Sequence, residues 1–474
     1  MSGKNRWIEV NEDLMSLAIG VFICGIALIG VMTHKDYLGW VLTTNVWSEV
    51  AKAFAPASKG YAHMPIIASM AFTFGLLLIL FSAAAKVMRH DIPKFVARFF
   101  LVFEVTTACW FIGNHSAIAS RFTNEIWLVL CLVAGILIVN LKKFQPIGVI
   151  ARYIVDQKQA DLYVKTALVI VGLTLGVQAA GAIGTLKNIM LRGLIVVVAN
   201  YLVTWTLAFL VAWKLFRFEA DEAAVLASAI SICGVAAAMA IGAAIKIRNK
   251  EFPSAVACLV VVYSAFELLV LPAVIGTLFY LQPYVAGSFM AMAVKTDGAA
   301  FAAGKITEAI VQQRLAVTQH LAYQTDAIFF VTAAEKQMID VFIGVFCIIL
   351  AAIFLHRKDE KREMGPVQTM CLTFPKFIIG SVAAFAVALS LAMHSSGAMN
   401  ALKAVVPGVA ALRVLLFGMT FLSLGLLADV VMLKKAKVGK LLVAYPAILL
   451  LVVIPVALGV SWLCFHGAPL PLKQ

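Results

Sequence analysis

Hydrophobic residues along this chain fall into long unbroken runs, not into the alternating or one-sided patterns of a soluble fold. A helical run of about 20 apolar residues is long enough to cross a hydrocarbon core. The plainest runs are Leu14–Met32, Met64–Ala85, Ile126–Leu141, Ala167–Leu186, Gly193–Trp213, Phe252–Leu281, Ala327–Leu355, Phe377–Leu402, Val414–Ala428 and Leu441–Cys464. Phe99–Gly113 is weaker because it holds Glu104, and Ala223–Ile245 and Pro283–Gly304 are weaker because Ala, Gly and Ser dilute them. The pattern predicts an all-α polytopic membrane protein with about 11–13 transmembrane segments. The first run is too long for a signal-peptide core and has no small-residue cleavage site after it, so it reads as a retained span.

The loops orient the chain. Lys86, Arg89, Lys94 and Arg98 form one basic cluster, and Lys142, Lys143, Arg152 and Lys158 another. Lys214 with Arg217, the set Arg357, Lys358, Lys361 and Arg362, and the set Lys434, Lys435, Lys437 and Lys440 complete the series. Placing all of them in the cytoplasm puts the N-terminus inside. The stretch Thr33–His63 then lies outside, and it is expected to be an interfacial helix with Trp40, Trp47 and Tyr61 at headgroup level.

Two segments resist simple alternation. Ala223–Ile245 has basic residues at both ends and Ser231-Ile232-Cys233-Gly234 at its centre, and Pro283–Gly304 shares its small-residue character. Irregular backbone survives at membrane depth only where protein buries it or it lines a cavity. Interrupted segments in both halves of a chain point to a transporter's binding site. Small residues also serve plain close packing of helices. Both readings stand at this stage, as does the choice between full crossing and re-entry.

Composition agrees with the pattern: 63% of the 474 residues are hydrophobic and 13% charged, and the mean hydropathy is +0.98. That excludes an ordinary soluble domain, which carries about a quarter charged residues. The net charge of +14 follows from basic loops, with no basic, aromatic-interleaved stripe to suggest nucleic acid. The eight cysteines share no CxxC or CxxxC spacing, so neither a metal site nor a disulfide framework is expected.

Ionisable residues at membrane depth are costly and call for partners. The dense set is Lys295, Asp297, Lys305, Glu308, Glu335, Lys336 and Asp340. Lys336 and Asp340, four apart on one helical face, either neutralise each other or serve a ligand. In the second case Lys336 or Lys295 offers positive charge to an anion, and Asp297 or Asp340 takes a proton or positions the lysine. Glu104 and Glu267 are further candidate proton carriers or neutral structural acids. Lys165 either snorkels or serves function, and Arg413 and Asp429 are expected to mark the interfaces of one span. With no GxSxG, HExxH or GxxxxGK[ST] motif, neither enzyme chemistry nor direct ATP drive is expected, and no cofactor is implied.

Several motifs carry a family resemblance. Tyr163-Val164-Lys165-Thr166-Ala167-Leu168-Val169, Ser231-Ile232-Cys233-Gly234-Val235-Ala236-Ala237 and the segment Lys336 to Gly344 resemble, in order, signature segments of the sulfate exporter family of bacterial membrane proteins. Phe374-Pro375-Lys376-Phe377 and Gly425-Leu426-Leu427-Ala428-Asp429 add to it. The chain departs at Ala236, where that family usually has Ser, and at Asp340, where it has Asn; near 291–298 a Gly pair is missing, Lys295 stands for an Asp and Asp297 for a Thr. The resemblance implies a secondary transporter of a small anion such as sulfate, sulfite or a sulfonate. It also implies a fold like that of bile-acid symporters and cation/proton antiporters, with two inverted repeats that carry broken or re-entrant helices near 231–234 and 295–298. The division would be an extension over 1–125 and repeats over 126–281 and 282–474. A homodimer in the bacterial inner membrane is implied as well. The candidate substrate residues are Ser231, Ile232, Cys233, Gly234, Lys295, Thr296, Asp297, Gly298 and Lys336. Asp297, Asp340, Glu104 and Glu267 are candidates for coupling to a proton or sodium. A cation/proton antiporter and a passive anion channel are the alternatives.

Overall fold

The computed structural model describes residues 11–119, 126–140, 157–181, 183–321, 326–356, 375–427 and 439–471. The basic clusters near 142–152, 357–362 and 434–437, with Phe374 and Asp429, lie outside the described residues. Helices dominate: α1 (Glu12–Thr33), α2 (Ile66–Val87), α3 (Ile92–Gly113), α4 (Ile126–Asn140) and α5 (Gln157–Gly181) come first. They are followed by α6 (Asn188–Leu215), α7 (Ala220–Ser231), α8 (Val235–Ala244), α9 (Phe252–Leu278), α10 (Pro283–Ala293), α11 (Asp297–Thr318) and α12 (Ala327–His356). The last are α13 (Lys376–His394), α14 (Ser396–Leu427) and α15 (Gly439–Phe465). Among the described residues nine helices are long and apolar enough to cross a membrane, or ten with α9 taken as one bent span. The protein is therefore an all-α, multi-pass membrane protein. Apolar side chains that face outward, such as Ile67, Leu202, Leu450 and Leu463, form the surface that lipid would cover.

Contacts divide the helices into two compact units. One contains α1–α5, α13 and α14, and the other contains α6–α12 and α15. In the first unit a Cβ on Gly172 would run into the Ser381 carbonyl, so α5 and α13 touch backbone to backbone. Such close approach is what holds helices together where lipid is as apolar as leucine. Lys165 is paired, 2.7 Å from Asp13 on α1 and 3.7 Å from Asp161 one turn back. Arg413 departs from its expected place at a span end. It is buried inside α14 and donates to the Thr174 hydroxyl at 3.0 Å.

The stretch before α2 corrects the interfacial-helix expectation. Leu42–Thr44 and Phe54–Pro56 pair as an antiparallel hairpin, Leu42 opposite Pro56 and Thr44 opposite Phe54. α1 ends at its cap, His34, whose φ of 53° leaves the helical range, and the Asp36 carboxylate then accepts from the Leu38 amide (3.1 Å). The hydroxyl of Thr73 accepts from the Leu42 amide (2.9 Å), and that of Ser69 donates to the Trp40 carbonyl (2.6 Å). Polar side chains of α2 thus satisfy the extended backbone, while the Trp47 ring packs on Phe111 and its indole N–H donates to the Phe111 carbonyl (2.9 Å). The boundary expected between Leu402 and Val414 moves too. The chain breaks at Ser395, whose hydroxyl accepts from the Ala398 amide (3.1 Å) and opens α14.

The second unit contains the interrupted segments. α7 runs back along α6: the Trp205 indole N–H donates to the Ser228 hydroxyl (2.9 Å), and the Asn200 amide donates to the Ser231 carbonyl (2.7 Å). After the break at Ile232–Gly234 the chain returns as α8, and Arg248 closes the loop by donating to Asp221 and Glu219, each at 3.1 Å. Asn249 adds a bond to Glu222 at 3.3 Å. Both ends of the segment lie together and its tip is level with Asn200, near the middle of α6. It is a re-entrant hairpin.

α10 and α11 form a second hairpin, broken at Val294–Thr296, with Arg314 near one end set 6.0 Å over the Tyr280 ring at the other. Of the two forms expected near 231–234 and 295–298, broken or re-entrant, both segments take the one that folds back. α12 serves as a ruler. Near its start the Thr332 hydroxyl donates to the Gly287 carbonyl of the second hairpin (2.9 Å). Further on, Ile339, Ile343, Cys347 and Leu350 join the core formed by α7 and α8. The hairpins therefore approach from opposite ends of α12, and their tips meet beside Lys336.

Candidate functional site

Each tip follows from its local sequence. At the first, Gly234 takes φ +70°, which side chains with a Cβ rarely adopt. A Cβ there would stand 2.6 Å from Val260 and 3.3 Å from the Lys295 carbonyl oxygen, so the bare glycine lets the two tips touch. At the second, Val294 is extended (φ −88°, ψ 125°) and ends α10. Thr296 then caps α11, its hydroxyl accepting from the Ala299 amide (3.4 Å). Extended residues at helix ends leave carbonyls without intrahelical donors.

Lys336 supplies those donors. It is fully buried, and its ammonium donates to the carbonyls of Ile232 (2.8 Å), Lys295 (3.2 Å) and Val294 (3.3 Å). The first belongs to one hairpin and the other two to its opposite. The Asp297 carboxylate is 4.0 Å away. Lys336 therefore spends its hydrogen bonds on the tip carbonyls, with the Asp297 carboxylate and that of Asp340, one turn along its own helix, acting on it through charge alone. Lys295 is also fully buried. Its ammonium donates to the Met292 carbonyl, and its backbone N–H donates to Glu267 of α9 at 3.0 Å.

Asp340 is buried beside Cys233, Asp297 and Lys336. Its closest polar side chains are the Cys233 thiol and the Asp297 carboxyl. Ser231, Ile232, Cys233, Gly234, Lys295, Thr296, Asp297, Lys336, Asp340 and Glu267 thus converge, with Gly298 in the first turn of α11. Glu104 does not join them. It lies on α3 in the first unit, with its side chain exposed.

The rest of the acidic and basic set separates by depth. Lys305 pairs with Asp326 and lies 3.9 Å from Glu308, toward the open end of the second hairpin. Glu335 turns the other way, against α6, where a Cβ on Gly193 would come within 3.2 Å of its Cγ. Asn200 and Tyr201 also support the site, though neither is among the sequence candidates. The first holds the Ser231 carbonyl, and the Tyr201 hydroxyl donates to the Ile339 carbonyl (2.6 Å). An Asn-Tyr pair inside the apolar run 193–213 was the available signal.

The arrangement brings two negative helix ends and two positive ones to one buried spot. The C-terminal carbonyls of α7 and α10 face lysine ammonium groups, while the N-termini of α8 and α11 open at the same tips. Fold and site together define a multi-pass membrane protein with opposed re-entrant hairpins around buried charges. The chain belongs to the family described as conserved hypothetical protein 698, whose model matches residues 147–444. It is 28% identical over 479 residues to a UPF0324 membrane protein of Nitrosomonas europaea, covering 97% of this chain and 96% of the relative. A UPF0324 membrane protein of Nitratidesulfovibrio vulgaris is 26% identical over 76% of this chain and 58% of its own length. One of Rhodopirellula baltica is 25% identical over 78% of this chain and 63% of its own length. The chain thus spans about three fifths of these last two relatives. No solved structure matches the chain.

Proposed function

We propose that the protein is a secondary transporter that carries a small anion through the bacterial inner membrane by alternating access. The observation that supports this most is the meeting of two opposed hairpin tips at Lys336. With the carbonyl ends of α7 and α10 held by ammonium groups, the positive ends left over are the N-termini of α8 and α11. Helix N-termini bind anions through free N–H groups and the helix dipole. Asp297, in the first turn of α11, is then the acid whose proton would accompany the anion, with Asp340 and Glu267 next to it. The motif resemblance to the sulfate exporter family favours sulfate, sulfite or a sulfonate as cargo. In this reading the opposed hairpins are the cores of two inverted repeats, the N-terminus is cytoplasmic and the working form is a homodimer. The protein catalyses no covalent reaction and needs no cofactor.

A cation/proton antiporter is the second reading, and one observation favours it. Two buried carboxylates, Glu267 and Asp340, and the partly exposed Asp297 face two lysines, so the tips carry an excess of acids. A thermal-shift series on the purified protein separates the two. A ligand that binds only the folded protein stabilises it by about 2.7 kcal/mol at one hundred times its Kd. Sulfate, sulfite or a sulfonate is expected to raise the melting temperature in a sodium-free buffer, and Lys336→Met is expected to lose that rise. Silence from every anion, with stabilisation by sodium alone, would replace the anion carrier by the antiporter. Flux that follows the gradient without saturating would make it a channel.

A further inference from the structure

We infer that Lys336 is a tethered counter-cation: its ammonium fills a monovalent-cation site built by the two hairpin tips, and removing it opens that site to an alkali-metal ion. The inference rests on the tips being the transport site.

The surroundings of the ammonium are those of a cation in a carbonyl cage. All three of its protons can be spent on backbone oxygens, at 2.8, 3.2 and 3.3 Å from Nζ, and these come from both hairpins. An ordinary buried ion pair would bring a carboxylate to hydrogen-bonding distance, yet Asp297 stands 4.0 Å away. Unwound carbonyls and half-helix C-termini are the groups transporters use to coordinate Na⁺, and carbonyls replace an alkali ion's hydration shell in channels.

Lys295 provides the internal contrast. Its ammonium bonds the Met292 carbonyl of its own hairpin, whereas that of Lys336 joins the two tips. Lys336 arrives on α12, a separate element, so its charge stays when cargo leaves. Without it, carbonyl ends of two helices would face each other in a buried place, and a free cation would be needed to hold them. The intact protein therefore works without bound sodium, and the cation that other designs take from solution is here part of the chain.

The test uses the full-length protein in detergent, melted in sodium, potassium, lithium or choline chloride at equal ionic strength. Wild type is expected to melt at one temperature in all four salts. Lys336→Ala is expected to melt lower in choline and to recover with a saturable rise in at least one alkali chloride. Equal melting of folded Lys336→Ala in all four salts would overturn the inference, as would a saturable rise of wild type with sodium. If Lys336→Ala is not recovered folded, Lys336→Gln is measured the same way: an alkali-dependent rise supports the inference, and four equal curves overturn it. Chloride is constant throughout, so a negative result here leaves the anion carrier standing. Wild type that ignores every anion would sink the carrier without touching the cation cage.

Discussion

Gly234 shows how much of the site hangs on single residues. Its φ of +70° with ψ −108° is a conformation that a Cβ resists, and the nearest neighbours are Val260 and the Lys295 carbonyl. Holding a non-glycine residue in such a region costs on the order of 1–3 kcal/mol before any clash is counted. Gly234→Ala is therefore expected to lower the melting temperature in detergent and to abolish anion-dependent stabilisation, because the opposing tip must withdraw. Unchanged melting and binding would show that the tips do not depend on contact at this point. Most of these residues were legible in the sequence, since a charge or a glycine inside an apolar run stands out. Their partners were not. The i,i+4 spacing pointed Lys336 at Asp340, but a long flexible stem reaches three carbonyls from segments about 40 and 104 positions away. Nothing local encodes that choice.

At the scale of elements, the breaks near 232 and 295 were visible as small-residue interruptions, but the way the chain left them was not. A broken helix that continues and one that folds back have the same composition. What decides for the first hairpin is the set of bonds from Arg248 and Asn249 to Glu219, Asp221 and Glu222, which ties its ends together. Helix pairing in the first unit depends equally on shape. Gly172 lets α5 lie against the backbone of α13 at Ser381. Gly172→Val is expected to destabilise the protein by about 1–3 kcal/mol, the usual cost of overpacking a tight contact. Its melting temperature in detergent reads this, and a value equal to wild type would mean that the two helices separate without loss. Leu42–Thr44 and Phe54–Pro56 pair as a hairpin where the aromatic residues suggest a helix at headgroup level. Hydroxyls on α2 reward extended backbone there instead.

For the whole molecule, the opposed hairpins make a sidedness prediction. The first opens beside Lys214, Arg217, Lys246 and Lys250, a basic rim that the positive-inside rule places in the cytoplasm. The second approaches α12 from its other end, so its open end near Arg314 should face outward. Lys250→Cys is expected to react with a membrane-impermeant thiol reagent only in inside-out vesicles, and Arg314→Cys only in right-side-out ones. Labelling of both from one side would contradict hairpins entering from opposite faces. Class and membrane character were determined by the sequence alone, because the burial of apolar area in lipid depends on run length and charge content. It also marked the charged residues that lipid could not tolerate. The fold-back of each interrupted segment, the pairing of Lys165 and Arg413 inside the first unit and the capture of both tips by Lys336 were decided by tertiary structure. Each is a contact between residues far apart in the chain, selected by the need to satisfy buried polar groups where no water can.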